Sequence, residues 1–412
     1  MKKATTIIHS TYKFIIQHSS FKIYMSFIIL MLLSVNGSAQ STMENVLTEI
    51  KKNNKSIIAS TQYWEAEKLN YKTGLTPANP TVEYDYLYGS PVNAGNQTEF
   101  SINQQFDFPT AYFKKNQLAN EQSARAQFQL TATQQDILLE AKNACIQLVY
   151  HNKMQIQLSK QKKNTEKIVA DFNKRLETGD GNILDVNKAK LQLLEINKAV
   201  QNNQSEINQL NQKLIELNGG NAIIFTDTVY NELPLIPPFE QLESDYESND
   251  PLRKNLEQEK IIAEKKVSVS KSLSLPKIEL GYHYQGFKGQ NYKGIHTGIS
   301  IPLWENKNTV KQKNAEQLFA GLELEAHINE HYYHIKHIYE KYANLKIILS
   351  DYQTVFTTLN SAALLNKALA LGEITTLQYF LEINYYNQAY YNYLESEKEY
   401  FLTIAELYKY QL

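Results

Sequence analysis

The segment LPKIELGYHYQG, residues 275–286, decides which fold the sequence predicts. Within it, Ile278, Leu280, Tyr282 and Tyr284 alternate with polar or small residues. Successive side chains of a β-strand point to opposite faces of a sheet, so this alternation predicts a strand with one apolar and one polar face. A single strand leaves its backbone N–H and C=O groups unpaired, and the sequence must therefore supply partner strands.

A similar segment lies 196 residues earlier in the chain. It reads NPTVEYDYLYG (residues 79–89), and its Pro80 occupies the place of Pro276. The same offset places Asn54 on Asp250, so the match extends upstream of both strands. These matches predict an internal repeat of roughly 195 residues.

Each half also contains a second alternating segment, FSINQQFDFP (100–109) in the first and GISIPLWEN (298–306) in the second. Polar connections at 89–96 and 288–293 precede them, and the apolar face of the second segment continues to Ile301 and Leu303. Two strands joined by a polar turn predict a β-hairpin in each half.

The rest of the chain predicts long helices. All ten prolines lie outside two windows, 110–233 and 303–412, and proline costs about 3 kcal/mol inside a helix. Apolar residues in both windows recur at alternating steps of three and four, which is typical of a coiled-coil seam. In the first window the seam consists of Val186, Ala189, Leu193, Ile196, Val200, Asn203, Ile207, Leu210, Leu214 and Leu217. In the second it runs from Ile328 through His331, Ile335, Ile338, Tyr342, Leu345, Leu349, Tyr352, Phe356 and Leu359 to Ala363.

Both helical windows are interrupted once, at matching places. The first interruption is LETGDGNILDV around Gly179, and the second is LALGEITTLQY around Gly372. A glycine that ends one helix and an Asn or Thr that caps the next predict a tight turn between two antiparallel helices. We call these two turns the tips.

The first forty residues differ from the rest. Lys13 and Lys22 precede an apolar run at 27–35 and small residues that end at Ala39, which predicts a cleaved signal peptide. Met25 is an alternative start. The predicted divisions are a signal peptide 1–39; a first repeat 40–233 with a hairpin 80–109 and long helices 110–177 and 182–218; and a second repeat 234–412 with a hairpin 276–303 and long helices 306–371 and 375–411.

Composition excludes some classes of protein. A net charge of −1 over 412 residues offers no basic surface for nucleic acid. The single cysteine, Cys145, excludes an intrachain disulfide.

Strand alternation alone fits either a soluble sheet packed on a core or a membrane barrel with its apolar face in lipid. In the membrane case four strands per chain are too few, because the smallest barrels have about eight strands, and several copies must combine.

These motifs together resemble the TolC-type outer-membrane efflux protein family. The resemblance rests on the strand starts Asn79-Pro80 and Leu275-Pro276, the strand end Ile301-Pro302-Leu303-Trp304, the paired tips, and the duplicated helix–hairpin–helix plan. The segment FDFPTAYFKKNQL (106–118) is similar to the branch that serves heavy-metal cation pumps. The implied fold is mainly α with a small β part, in which copies form a β-barrel and a helical barrel.

The resemblance implies a function and partners. It implies a homotrimer in outer-membrane lipid whose helices cross the periplasm to an adaptor protein and an inner-membrane pump. We expect a passive exit channel with no catalysis and no cofactor. The alternatives are a soluble periplasmic coiled-coil adaptor or structural protein, and a zinc metallopeptidase, since HINEH (327–331) matches H-x-x-E-H with Glu330 as the base.

The candidate site residues fall into three groups. Adaptor docking is expected at the tips, through Gly179, Asp180, Gly181, Asn182, Leu184, Gly372, Glu373, Thr375 and Leu377. The family's acidic gate positions read Gln378 and Leu381 here, so the gate candidates are Asp185, Gln378 and Glu382. The polar strand faces predict a barrel lumen lined by Glu83, Asp85, Ser101, Asn103, Lys277 and Glu279.

Overall fold

The computed structural model describes residues 42–230, 235–358 and 361–412; the predicted signal peptide lies outside them. The first half contains α1 Met43–Asn53, α2 Lys55–Asn70, β1 Thr81–Leu87, β2 Gln97–Phe106, α3 Pro109–Glu177 and α4 Ile183–Leu217. The second half contains α5 Phe239–Asn249, α6 Pro251–Leu273, β3 Lys277–Phe287, β4 Gln290–Ser300, α7 Thr309–Thr358, α8 Ser361–Leu371 and α9 Thr376–Leu407. The predicted fold class, mainly α with a duplicated plan and four strands, is confirmed.

The two hairpins join into one antiparallel sheet with the order β1-β2-β3-β4. Central pairs are Val82 with Ile102, Ile102 with Tyr282, and Tyr282 with Ile295. Directly paired residues point to the same side of a sheet. The register therefore collects most apolar residues of the four strands on one face and most polar residues on the other, as their alternation predicts.

The second hairpin is tighter than the sequence analysis expected. Its connection is two residues long, Lys288 and Gly289, rather than 288–293, because both adopt the positive φ that a two-residue hairpin turn requires. The strand also ends earlier, at Ser300, so Ile301 and Leu303 lie beyond it. Pro302 has no N–H to donate to a neighbouring strand, which accounts for the earlier end.

The long helices pack along the predicted seams. The 69 residues of α3 extend about 100 Å at 1.5 Å per residue. All buried residues of α4 belong to its seam, and in α7 the seam residues from Ile335 to Leu349 are buried in the same way. The coiled-coil prediction is confirmed. Among the described helices, none is both long enough and apolar enough to cross a membrane.

The one polar residue of the first seam, Asn203, is buried and fully bonded. Its amide donates to the His151 carbonyl oxygen (2.9 Å) and to Gln155 Oε1 (2.8 Å), and its Oδ1 lies 2.8 Å from His151 Nδ1. A buried amide with specific partners penalises a shifted register. Asn203 thus holds α4 at one position along α3.

Candidate functional site

Both tips are closed by the same backbone motif. At the first, the N–H groups of Gly179 and Asp180 donate to the carbonyl oxygens of Leu176 and Arg175. At the second, Gly372 and Glu373 donate in the same way to Leu369 and Ala368. This pair of bonds defines a Schellman turn, whose central residue is left-handed, and the two glycines have φ of 79° and 73°. The repeat thus preserves tip geometry and not only sequence.

The helices that leave the tips are capped differently. Asn182 Oδ1 accepts from the Leu184 N–H (2.9 Å) at the start of α4. Thr375 and Gln378 form a reciprocal capping box at the start of α9, in which Gln378 Oε1 accepts from the Thr375 N–H (2.9 Å). The side chain of Gln378, a gate candidate, is therefore engaged in capping.

The fold brings the tips together in one surface cleft of about 770 Å³. It contains most of the predicted docking residues and one gate candidate; Leu184 and Glu373 are not part of its lining. Two cations that the sequence analysis did not select, Arg175 and Lys188, also line it. The predicted residues in the lining are Gly179, Asp180, Gly181, Asn182, Asp185, Gly372, Thr375 and Leu377.

The gate candidates do not lie together. Asp185 lines the tip cleft, where its position in the first turn of α4 also favours a negative charge. Glu382 instead lines a separate apolar groove of about 760 Å³ with Asp351 and Tyr385. Of the three candidates, only Asp185 shares a cavity with both tips.

A buried polar contact that the sequence analysis missed connects the helices behind the tips. Tyr379 Oη donates to Asn366 Oδ1 (2.8 Å) and accepts from Asn164 Nδ2 (2.8 Å), which links α9, α8 and α3. The side chain is 1% exposed, and burial raises the pKa of Tyr379. Asparagines inside helices at 164 and 366 were the available signal, but nothing in the sequence shows that they meet.

On the sheet, four of the six predicted lumen residues lie together. Glu83, Asp85, Ser101 and Asn103 line a polar hollow of about 560 Å³, in which Ser101 Oγ donates to Glu83 Oε2 (3.2 Å). Glu279 lies outside it, and Lys277 forms an ion pair with Glu305 (2.9 Å).

The hollow contains further charged or titratable residues. Glu99 pairs directly with Asp85, His283 approaches from β3, and β4 contributes Tyr292, Lys293 and His296. Both histidines belong to the predicted polar faces, but Glu99 was missed. Extending the period of two back from Ser101 would have found Glu99.

In the described part of the chain, the opposite face of the sheet is exposed. Val82 is 60% exposed, Tyr84 64%, Ile299 70% and Ile295 86%. In the central strands the apolar residues are less exposed, with Ile102 at 39% and Tyr282 at 41%. The register aligns the apolar residues of all four strands in one band. Bands of this kind mark surfaces that contact lipid or another protein.

The zinc-peptidase alternative receives no structural support. His327 Nε2 and His331 Nε2 face one carboxylate, Asp250 Oδ2, at 3.5 and 4.0 Å, but the proposed base Glu330 is exposed. Within the described ranges, no group of three or more His, Cys, Asp or Glu residues is arranged to hold a metal ion.

Comparisons with known proteins agree with this architecture. No family model and no curated protein matches the sequence. Among solved structures, the chain is similar to CusC, with 15% identity, a TM-score of 0.75, and coverage of 90% of this chain and 92% of that one. It is also similar to the CmeC outer-membrane channel of Campylobacter jejuni, with 12% identity, a TM-score of 0.70, and coverage of 89% of this chain and 85% of that one. For the outer-membrane protein VceC of Vibrio cholerae the identity is 13% and the TM-score 0.70, with coverage of 90% of this chain and 94% of that one. The chain therefore has the fold of outer-membrane channels of the TolC type.

Proposed function

We propose that this protein is a passive outer-membrane exit channel that works with a periplasmic adaptor and an inner-membrane pump. The observation that carries the proposal is the uncovered apolar face of the sheet, opposite a face with carboxylates and imidazoles. A lipid-facing band outside and a polar lumen inside is the arrangement of a membrane barrel. The fold shared with known channels supports the same function, and the mechanism needs no catalytic residue and no cofactor.

Three copies would close the barrel. In the described sheet β1 and β4 each have one neighbour, and they run antiparallel to each other because the four strands alternate in direction. The β4 edge of one copy can therefore pair with the β1 edge of the next. Three copies give about twelve strands and leave no free edge, which satisfies every backbone group in lipid.

The length of the two strands of the second hairpin is consistent with this proposal. β3 and β4 contain 11 residues each. At roughly 3.3 Å per residue and a tilt of about 45°, such strands span about 25 Å along the membrane normal, the height of the apolar band in these barrels. A soluble adaptor, the competing proposal, would leave this band in water.

The direct test is fractionation and conductance. The full chain should sediment with outer membranes, require detergent for extraction, and produce stepwise ionic currents in planar bilayers. Recovery in the soluble periplasmic fraction, with no current after reconstitution, would support the soluble adaptor instead.

We further propose that the tips dock on the adaptor and that Asp185 takes part in the gate. The shared cleft supports docking because it exposes apolar Leu377 beside two aspartates and two cations. In a strain deleted for this gene, Leu377→Asp should fail to restore export while its bilayer conductance stays normal. Full restoration would exclude docking through this residue. The matched control is Leu191→Asp, an exposed leucine further along α4.

For the cargo we propose cations, with heavy-metal cations as the class indicated by residues 106–118. Three carboxylates in the hollow of the sheet, Glu83, Asp85 and Glu99, would favour cation entry. The triple variant Glu83→Gln, Asp85→Asn, Glu99→Gln should shift the reversal potential in a salt gradient toward anion permeation. An unchanged reversal potential would exclude a selective role for these residues.

A further inference from the structure

The two halves contain equivalent helix joints that differ in chemistry. Asn54 joins α1 to α2, and Asp250 joins α5 to α6 at the 196-residue offset. Their backbone angles are nearly identical, with φ of −64° for both and ψ of 122° and 116°. In each joint the side chain accepts hydrogen bonds from two backbone N–H groups, those two and three residues further along the chain, and so caps the second helix.

The remaining contact of each side chain is different. The Asn54 amide donates to the Leu217 carbonyl oxygen at 2.8 Å. The side chain at the first joint is therefore neutral, and both its oxygen and its nitrogen have hydrogen-bond partners. Asp250 has no hydrogen to donate. Its Oδ1 and Oδ2 accept from the N–H groups of Leu252 and Arg253, and Oδ2 also faces the imidazoles of two histidines.

Those histidines occupy successive turns of α7. His327 Nε2 lies 3.5 Å from Asp250 Oδ2 and His331 Nε2 lies 4.0 Å from it, with ring centroids 5.5 Å apart. The His327 Nε2 atom is buried and makes no hydrogen bond. The His331 ring packs on the Tyr246 ring at 4.8 Å. Both imidazoles therefore lie largely out of water against one shared carboxylate.

Acidification unbalances this cluster. Burial lowers the pKa of His331, while the Asp250 carboxylate acts in the opposite direction and His327 adds to the lowering. One carboxylate can balance one imidazolium; a second positive charge is unpaired and also lies near the N-terminus of α6, where positive charge is unfavourable. The other charged or titratable groups around the pair are Tyr246 and Glu247 from α5, Arg253 from α6, His334 from α7, and Glu406 and Tyr410 from the C-terminal segment.

We propose that the joint between α5 and α6 is a proton-sensitive clamp, which holds α5 on α7 when His327 and His331 are neutral and releases it when both are protonated. At pH values above 6.5, the ordinary pKa of histidine, the stabilisation of the contact between α5 and α7 is fully present. It is lost as the pH falls below that value: burial lowers the pKa of His331, so the unfolded chain takes up the proton on His331 before the folded chain does. Release would break the contact of Leu242 and Tyr246 in α5 with Ile335 and Ile338 in α7. The proposal is independent of the export function.

The first joint is an internal control for the test. Amide hydrogen exchange of the purified full chain in detergent, corrected for the intrinsic effect of pH, should be compared at pH 7.5 and pH 5.5. Protection of peptides covering 239–256 should fall by about fivefold or more on acidification, whereas peptides covering 43–60 should change by less than about twofold. Equal responses of the two joints would overturn the proposal.

Variants assign the response to the cluster. His327→Gln and His331→Gln, singly and together, should remove the response at 239–256 while protection at pH 7.5 stays near wild type. Asp250→Asn, which copies the first joint, should enlarge the response because it removes the carboxylate that faces both imidazoles. His334→Gln, at an exposed histidine of the same helix, should leave it unchanged. A wild-type response in the two single glutamine variants and the double variant would overturn the proposal.

Discussion

Apolar residues are buried in the helical body but exposed on the sheet. In the main helical core, Leu148, Val149 and Leu214 are 0% exposed, and α1, α3 and α4 supply each other's partners. In the sheet, residues of the same chemical kind are mostly exposed: Ile295 is 86% exposed. Apolar residues recur with a regular period in both regions, but within the described residues only the helical body buries them.

This contrast indicates where the chain is self-sufficient and where it depends on its surroundings. Burial of apolar area is worth roughly 25 cal/mol per Å², so the helical body gains stability from its own packing. The sheet gains nothing comparable from the described chain. Under the proposed function, lipid and neighbouring copies would supply the missing contacts of the sheet.

The largest expected effect separates the two faces of one strand. Tyr282→Arg, at the centre of the apolar face of β3, should cost about 2–4 kcal/mol per copy in lipid and abolish outer-membrane assembly. Its neighbour His283 points to the polar face, so His283→Gln should assemble normally. Heat-modifiable trimer bands from isolated outer membranes report both results. Normal assembly of the arginine variant would contradict the claim that the apolar face of the sheet, unlike the helical body, depends on contact with lipid.

A second change tests the helical body. Leu148→Ala removes a fully buried side chain from the main core and should lower the free energy of unfolding by about 2–5 kcal/mol. Leu191→Ala, at a leucine that is 64% exposed, should change it by less than about 0.5 kcal/mol. Thermal melts of the helical signal in detergent measure both. If Leu191→Ala lowered the free energy of unfolding more than Leu148→Ala, contacts between copies would be the main source of stability in the helical body as well.

The smallest expected effect concerns the tips. Gly179→Ala places a Cβ at φ 79° and should destabilise the first tip by about 1–2 kcal/mol. The control is Gly321→Ala in the interior of α7, where nothing lies within 4 Å of an added Cβ and alanine should stabilise the helix by about 0.5–1 kcal/mol. Hydrogen exchange of 176–186 should rise in the first variant alone. Equal exchange in both would show that alanine adopts the left-handed conformation at position 179 without strain.

Periodicity made most of the fold predictable. Steps of three and four in Val186 to Leu217, and steps of two in the strands, depend only on local geometry, and the structure buries or exposes those residues accordingly. The length of the second hairpin turn was not predictable in this way, because Lys288 adopts a positive φ that its residue type disfavours.

The candidate site was predictable only where it is local in sequence. Turn chemistry at Gly179 and Gly372 identified both tips. The contact of Tyr379 with Asn164 joins residues 215 positions apart, and no local pattern encodes it. The same holds for the approach of His327 and His331 to Asp250, because it depends on how α6 and α7 pack.

The number of copies in the detergent-extracted particle tests the central claim most directly. Native mass spectrometry of the full chain, purified from outer membranes, should find three copies that separate only on denaturation. A single copy that remains in solution without detergent would contradict the account, since one sheet with two open edges cannot seal itself in lipid.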